Sequence, residues 1–343
     1  MKKISRLFSF FLSMLFVMHS TALFAQDDND NDNDNDNHQK RTYAFVKKKA
    51  INKTYNVSGA DKLNIRNSFG SVEIHTWNKN EIKVDVEIEA SSDKENVAQD
   101  ILDRIQVSDN QSGKEISFKT SIKEEMKHKS GSSSMTINYS VYMPESNPLF
   151  INNEFGSTTI PDYKGEVDLT SKFGTLTTGN LSAVKSIGVE FGKARLGNIP
   201  GGSLSIKYSK ASISKISGNV KLNIEFSSKI ILNMDNSLNS LDVKASYSSV
   251  NLKPIGELSA SYTISTSFGS FKNKTQVKFN SDDDGDDDDH GPKFDHEYNG
   301  KSGNGSIPVK VKSSFSNIIL GESTDADFKE KHKSKSKSKT ADI

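Results

Sequence analysis

An aromatic residue followed by glycine or serine recurs along this chain, and nothing else in the sequence restricts its fold as strongly. The pair occurs at Phe155-Gly156, Phe173-Gly174, Phe191-Gly192, Tyr208-Ser209, Phe226-Ser227, Tyr247-Ser248 and Phe268-Gly269. The steps, by subtraction, are 18, 18, 17, 18, 21 and 21 residues. Phe69-Gly70 upstream and Phe315-Ser316 downstream bring the copies to nine. A unit of this length cannot bury an apolar face alone, so copies must stack and cover one another.

Aligned on the aromatic, apolar residues fall six, four and two positions before it and three, five and eight after it. The copy around Tyr247 has Leu241, Val243 and Ala245, then Val250, Leu252 and Ile255. The copy around Phe69 has Leu63 and Ile65, then Val72, Ile74 and Trp77. Alternation at period two is the strand signal. It slips by one at the aromatic pair, which places a corner where a bulky second residue would clash. The fold class is therefore all-β: a parallel β-solenoid with coils of ~18–21 residues, with an antiparallel β-sandwich as the alternative. A ring inside that core would make Phe191→Ala cost about 3–5 kcal/mol. The residue before the aromatic runs Glu154, Lys172, Glu190, Lys207, Glu225, so in-register stacking would set opposite charges side by side.

Residues 1–25 read as a secretory signal, with Lys2, Lys3 and Arg6, an apolar run from Leu7 to Val17, and Ala22 to Ala25 as the cleavage site. The absence of cysteine excludes disulfides, a cysteine nucleophile and a lipid anchor on Cys. Positive and negative residues number 45 and 44, a balance that argues for neither nucleic acid nor a membrane surface. No later apolar run is long enough to span a bilayer. An exported protein is expected, with the periplasm favoured over the cell surface.

Residues 26–41 form an Asp/Asn-rich linker, too polar to bury anything. Residues 42–146 form an N-terminal β-rich region. In it, Ile82, Val84, Val86 and Ile88 alternate with charged residues as a half-buried strand. One helix is expected at about 92–106, capped by Ser92 with Glu95 three residues on. Residues 81–143 read as an insertion of antiparallel strands between the first copy and the rest. Residues 147–322 are the solenoid, with an acidic loop insertion at 280–306, and 323–343 are a disordered basic tail.

The block from Asn67 to Ile74, the Ile/Val strand after it, the single helix, Tyr139 to Pro144, and the Phe-Gly copies together resemble the bacterial putative-adhesin family of β-strand-repeat envelope proteins. That resemblance covers roughly 43–320 and implies an exported β-solenoid with no catalytic residues. The acidic tracts and basic tail depart from it.

No nucleophile elbow, zinc-protease motif or phosphate loop is present. Carboxylates do not pair on the outward rows, where Glu73 is the only acid four positions past an aromatic. The expectation is a non-enzyme without a cofactor, binding envelope glycan or protein. The alternative is a glycan-active enzyme with its site in the 81–143 insertion. The one metal-like run holds Asp282, Asp284, Asp286 and Asp288, which could offer oxygens to Ca²⁺, with His290 and His296 as nitrogen ligands for Zn²⁺ or Ni²⁺. Its calcium-loop register fails, because Gly285 at the turn puts Gly291 where a bidentate Glu is needed. A solvated acidic loop is the competing reading. His75 is expected on the wet face.

Overall fold

The computed structural model describes residues 41–123, 132–281 and 294–328. The signal region, nearly all of the 26–41 linker, most of the acidic run and the tail beyond 328 lie outside these residues. Among the described residues the chain is mostly β, with one α-helix, Glu95–Arg104, and a 3₁₀ turn, Asp325–Asp327. The strands join into one large mixed sheet that is largely parallel. Antiparallel pairing is confined to the N-terminal strands and to a hairpin near the C-terminal end.

Each copy contributes one strand before its aromatic and one after it, and both pair copy to copy. Before the aromatic, Ile65, Ile151, Leu169, Ile187, Leu204, Leu222, Val243, Val311 and Ile264 are successive partners. All are buried. After the aromatic, the corresponding row is Val72, Thr158, Leu176, Ala194, Ala211, Ile230, Val250, Ile318 and Phe271. These rows are the alternating apolar positions of the sequence, now facing inward together.

Both rows break chain order at the same place. The last copy, with Phe315, lies between the Tyr247 and Phe268 copies. Strand Ile307–Ser314 pairs with Lys229–Ser246 on one side and with Ala260–Ser267 on the other. The regular spacing implied sequential stacking. The long connection after Phe268 permits the return instead.

The rings stack between successive copies, as the repeat requires, but they stand outside the core. Phe173, Phe191, Tyr208, Phe226, Tyr247, Phe268 and Phe315 are 42% to 53% exposed. The reason is backbone geometry. All nine aromatics have φ between 50° and 65°, a left-handed conformation that costs a bulky L-residue about 1–2 kcal/mol. This reverses the Cα–Cβ direction and turns the ring outward.

The next residue is small because the corners nearly touch. A Cβ on Gly174 would strike the carbonyl oxygen of Gly156, and one on Gly192 that of Gly174. Where serine replaces glycine, its hydroxyl becomes part of the ladder. Ser209 Oγ accepts from the Gly192 N–H at 3.0 Å, Ser227 Oγ from Ser209 at 3.2 Å, and Ser248 Oγ from Ser227 at 3.0 Å. Each hydroxyl also donates two residues back, Ser209 to the Lys207 carbonyl at 2.6 Å and Ser227 to Glu225 at 2.9 Å.

The helix is shorter than its sequence signal. Ser92 is the last residue of strand Glu81–Ser92, paired with Phe45 and Ser133, and its Oγ accepts from the Lys94 N–H at 3.3 Å, one residue short of the helix. The helix starts after Lys94 without a side-chain cap and packs on the sheet through Ala98 and Leu102. Part of the expected acidic insertion is also regular: Asp295–Lys301 is a strand, antiparallel to Ala260–Ser267.

Phe191 separates strain from stacking. Its ring lies 4.9 Å from Phe173 and 4.6 Å from Tyr208. Truncation loses two ring contacts of about 0.5–1.5 kcal/mol each, so Phe191→Ala should cost about 1–3 kcal/mol, below the value for a buried ring. Phe191→Gly loses the same contacts but relieves the left-handed strain. It should be the more stable variant by about 1 kcal/mol, the reverse of the order inside a strand. Urea unfolding midpoints measure both, and a more stable alanine variant would contradict the strain.

Candidate functional site

The corners assemble an exposed ridge. In spatial order its rings are Phe69, Phe155, Phe173, Phe191, Tyr208, Phe226, Tyr247, Phe315, Phe268 and Phe294. Centroids are 4.6 to 5.1 Å apart, and planes agree within 8° except at Phe294, which is tilted by 18°. Phe294 belongs to no copy and closes the end of the stack. Each inner ring has both faces covered by neighbours, so the ridge offers ring edges to solvent. Aromatic edges carry the positive end of the ring quadrupole.

The two flanks of the ridge differ in charge. On the side before the aromatic the expected alternation is present in register. Lys172 lies 3.4 Å from Glu190, and Lys207 lies 3.1 Å from Glu225. Bonds from Asn223 and Lys207 hold the Glu225 carboxyl below its usual range. On the other side, Lys193 pairs in register with Lys210, and Lys210 with Lys229. Like charges side by side on neighbouring strands repel. Counting from the aromatic places Ser228 in this row. The structure places Lys229 there, because the Phe226 copy has one extra residue at its corner. An open groove of about 350 Å³ runs beside this row, lined by Phe191, Tyr208, Phe226, Lys193, Lys210 and Ser228.

The chain itself sets a carboxylate on the row. Asp325 Oδ1 lies 2.7 Å from Lys229 Nζ, and the Phe328 ring centroid lies 5.8 Å from the same ammonium. The turn is fastened by Asp327, whose carboxylate accepts from Lys272 at 2.7 Å, from Lys274, and from the Thr324 N–H at 2.8 Å. Residues 323–328, expected in the disordered tail, thus pack on the sheet.

A second polar cluster is structural. Near the N-terminal end, Thr120 Oγ1 donates to Asn67 Oδ1 at 2.9 Å and lies 2.8 Å from the Tyr139 hydroxyl. Asn67 Nδ2 donates to Asn153 Oδ1 at 3.2 Å. All are buried, and burial pushes the Tyr139 hydroxyl up to about 12. Tyr55 is likewise raised to about 12 by burial and by its bond to Asp109. These groups tie strands together.

Of the metal candidates, Asp282, Asp284, Asp286, Asp288 and His290 lie outside the described residues. His296 lies in strand Asp295–Lys301, opposite Thr266, with its ring 6.2 Å from Tyr298. Among the described residues no three His, Asp or Glu side chains gather to hold a metal. His75 is on the surface as expected, stacked on Tyr142 at 4.8 Å with Glu73 3.9 Å away. No helix among the described residues is long and apolar enough to cross a membrane.

No family model matches the chain, and no curated protein matches it. Solved structures do. A putative adhesin from Bacteroides fragilis NCTC 9343 aligns over 79% of this chain and 97% of its own, at 14% identity and TM-score 0.36. A putative lipid binding protein from Parabacteroides distasonis ATCC 8503 aligns over 80% and 97%, at 11% identity and TM-score 0.32. A putative adhesin from Parabacteroides distasonis ATCC 8503 aligns over 79% and 97%, at 11% and 0.26. The chain is thus similar to several adhesin-like proteins at low sequence identity.

The turn that carries Asp325 should respond to acid. The Asp327 side chain is only 6% exposed, and hydrogen bonds from Lys272 and Lys274 hold its carboxyl far below the usual carboxylate range. A depressed folded-state value stabilises the contact fully above the unfolded value of about 3.9. That stability is lost as pH falls below about 4 toward the folded value. The Asp327 and Phe328 amides donate to Thr324 and Asp325 at 2.9 and 3.1 Å. Their hydrogen-exchange protection, corrected for intrinsic rates, should fall on acidification, and in Asp327→Asn it should already be low at neutral pH. Protection that is flat with pH would place the anchor elsewhere.

Proposed function

We propose that this chain is an exported, non-catalytic binding protein of the cell envelope, built as a parallel β-solenoid of ~18–21-residue coils. In this reading 42–146 is an N-terminal β-rich cap and 147–322 the repeat body, preceded by a cleaved signal and a polar linker. The periplasm is its compartment, on the strength of the N-terminal signal pattern and the lack of cysteine.

The observation that carries the reading is the ridge. Nine aromatics hold a strained left-handed backbone, seven of them leave their rings half in water, and three of these, Phe191, Tyr208 and Phe226, line a groove beside Lys193 and Lys210. Large exposed apolar surface on a folded protein marks an interaction site. Strain concentrated at one feature points the same way. Glu190 and Glu225, beside the ridge, are held in ion pairs along the strands, an arrangement suited to structure and recognition rather than proton transfer.

A glycan-binding screen of the purified chain tests the proposal. Retention of at least one envelope polysaccharide, weakened by Tyr208→Ala at the centre of the ridge, is expected. Turnover of any such polymer, abolished by changing one carboxylate within 81–143, would overturn it in favour of an enzyme. Loss of the protein from intact cells on external proteolysis would refute the periplasmic placement.

A further inference from the structure

We infer that the edge strand Ile105–Ser112 is an interface through which two copies of this chain join, antiparallel and edge to edge. This goes beyond the binding function proposed above, because it concerns a different surface. The outermost strand of a sheet presents unpaired N–H and C=O groups, and another strand can add there unless the edge is short, charged or covered. Among the described residues four strands pair with one neighbour only. Three of them are blocked. Phe45–Asn56 carries Lys47, Lys48, Lys49 and Lys53. Ser270–Asn273 has four residues, and its Lys272 is bound to Asp327 of the last turn. Phe279–Ser281 has three residues. Ile105–Ser112 has eight residues, without Lys, Arg or Pro, and its one acid is Asp109. That acid is not a free charge, because its carboxylate accepts from Tyr55 and lies 3.3 Å from Lys53 Nζ.

Half of the backbone of this strand is used. Gln106, Ser108 and Asn110 lie opposite Ser121, Lys119 and Ser117 of strand Glu115–Ile122. The carbonyls of Gln106 and Asn110 accept from the Ser121 and Ser117 hydroxyls across the pair, both at 3.4 Å. These residues are therefore the hydrogen-bonded members of the ladder, and the residues between them turn their N–H and C=O the other way. Val107 and Gln111 present theirs to the outer edge, as does Asp109, whose N–H also leans on its own carboxylate. No backbone group among the described residues meets them there.

A second copy fits this edge better than an unrelated strand. Turned about a twofold axis at Ser108, the strand meets itself with Val107 opposite the partner's Asp109, and the two can exchange both bonds. The Gln111 N–H then faces the carbonyl of the partner's Ile105. On the other face Gln106 meets the partner's Asn110 and Ser108 meets its own copy, so no like charges oppose each other. Moving the axis to Asp109 would set two carboxylates face to face. An unrelated strand takes its specificity from pockets for alternate side chains, whereas Gln106, Ser108 and Asn110 offer it only an exposed polar row. A strand of this length falls short of the roughly 20–30 residues a side of a stable interface, so the dimer is a weak one. Two joined copies carry two ridges, and a polymer that reaches both gains avidity.

The test is sedimentation equilibrium of the full chain up to about 1 mM, with hydrogen exchange followed at each concentration. A reversible monomer–dimer equilibrium is expected. The Val107 and Gln111 amides should exchange freely in dilute protein and gain protection as it is concentrated. Gln106→Lys with Asn110→Lys opposes like charges twice and should weaken the dimer about tenfold. Gln106→Lys with Asn110→Glu opposes unlike charges twice and should tighten it about threefold. Both positions are exposed, so the urea midpoints of the dilute variants should match that of the unchanged chain. Tyr208→Ala should leave the dimer intact. A chain that is monomeric at about 1 mM, a dimer that ignores both double variants, or one in which Val107 and Gln111 stay unprotected overturns the interface. Equal weakening by the two double variants overturns the register. Loss of the dimer in Tyr208→Ala overturns the strand edge in favour of the ridge.

Discussion

Every aromatic corner depends on the one beside it. The chain turns through a left-handed Phe or Tyr, at a cost of about 1–2 kcal/mol, and an isolated corner would have little to offset this. Stacked, each inner ring gains two neighbours worth about 0.5–1.5 kcal/mol apiece, and each aromatic N–H except that of Phe268, which donates to the Phe294 carbonyl, donates to the copy next to it. Phe155 donates to the Lys172 carbonyl at 2.9 Å, and Tyr208 to Glu225 at 2.9 Å. The small residue that follows lets the corners approach this closely. Strain, ring stacking and corner residue are thus one device repeated nine times, and the surface ridge is its by-product as well as its reward. A stack built this way cannot lose a ring without loosening two interfaces.

The last copy shows how far this mutual dependence shapes the order of assembly. The Phe315 copy bonds to both the Tyr247 and the Phe268 copies: the Tyr247 N–H donates to the Ser314 carbonyl at 3.0 Å, and the Phe315 N–H donates to Ser267 at 2.8 Å. Its neighbours come earlier in the chain, so their facing edges stay unpaired until 307–320 arrives. Non-local pairings of this kind slow folding and expose strand edges meanwhile. A chain emerging from its N-terminus would complete this part of its sheet last.

Period-two alternation made most of the architecture legible. Ile65, Leu169, Leu222 and Val243 are core because the strand pattern says so, and the register of Lys172 against Glu190 follows from equal spacing. Three features were hidden for physical reasons. Ring exposure depends on a left-handed dihedral, which no pattern of apolar residues encodes for a Phe; the slip in alternation was its only trace. Lys229 entered the lysine row through one extra residue at the Phe226 corner, and equal-spacing counts cannot see a bulge. The insertion of the Phe315 copy is invisible because its aromatic, corner serine and strands match the others. Only the 47-residue step from Phe268 to Phe315 hinted at a detour. The metal candidates lie almost wholly outside the described residues, and the one that is described, His296, takes a place in a strand.

A stack of parallel strands ends in two open edges, which invite further copies unless something stops them. The two ends solve this differently. At the N-terminal end the outermost strand of one layer, Phe45–Asn56, carries Lys47, Lys48, Lys49 and Lys53 along an exposed stretch, and charge there discourages pairing. The row two residues before the aromatic also changes character toward the ends. It is Asn67, Asn153 and Ser171 at the start, Val189, Ile206, Ile224 and Ala245 in the middle, and Ser313 and Thr266 at the finish. Buried amides that must find partners tolerate only one neighbour: Asn67 needs both Thr120 and Asn153. Interchangeable apolar copies therefore fill the centre, where any neighbour would pack. Asn67 and Asn153 stand where a slipped register would bury unpaired groups at about 1–3 kcal/mol each. At the C-terminal end a short strand, Ser270–Asn273, is crossed by the turn that ties Lys272 and Lys274 to Asp327. The same turn brings Asp325 to Lys229, so the element that ties down the last strand also sets the charge at one end of the lysine row.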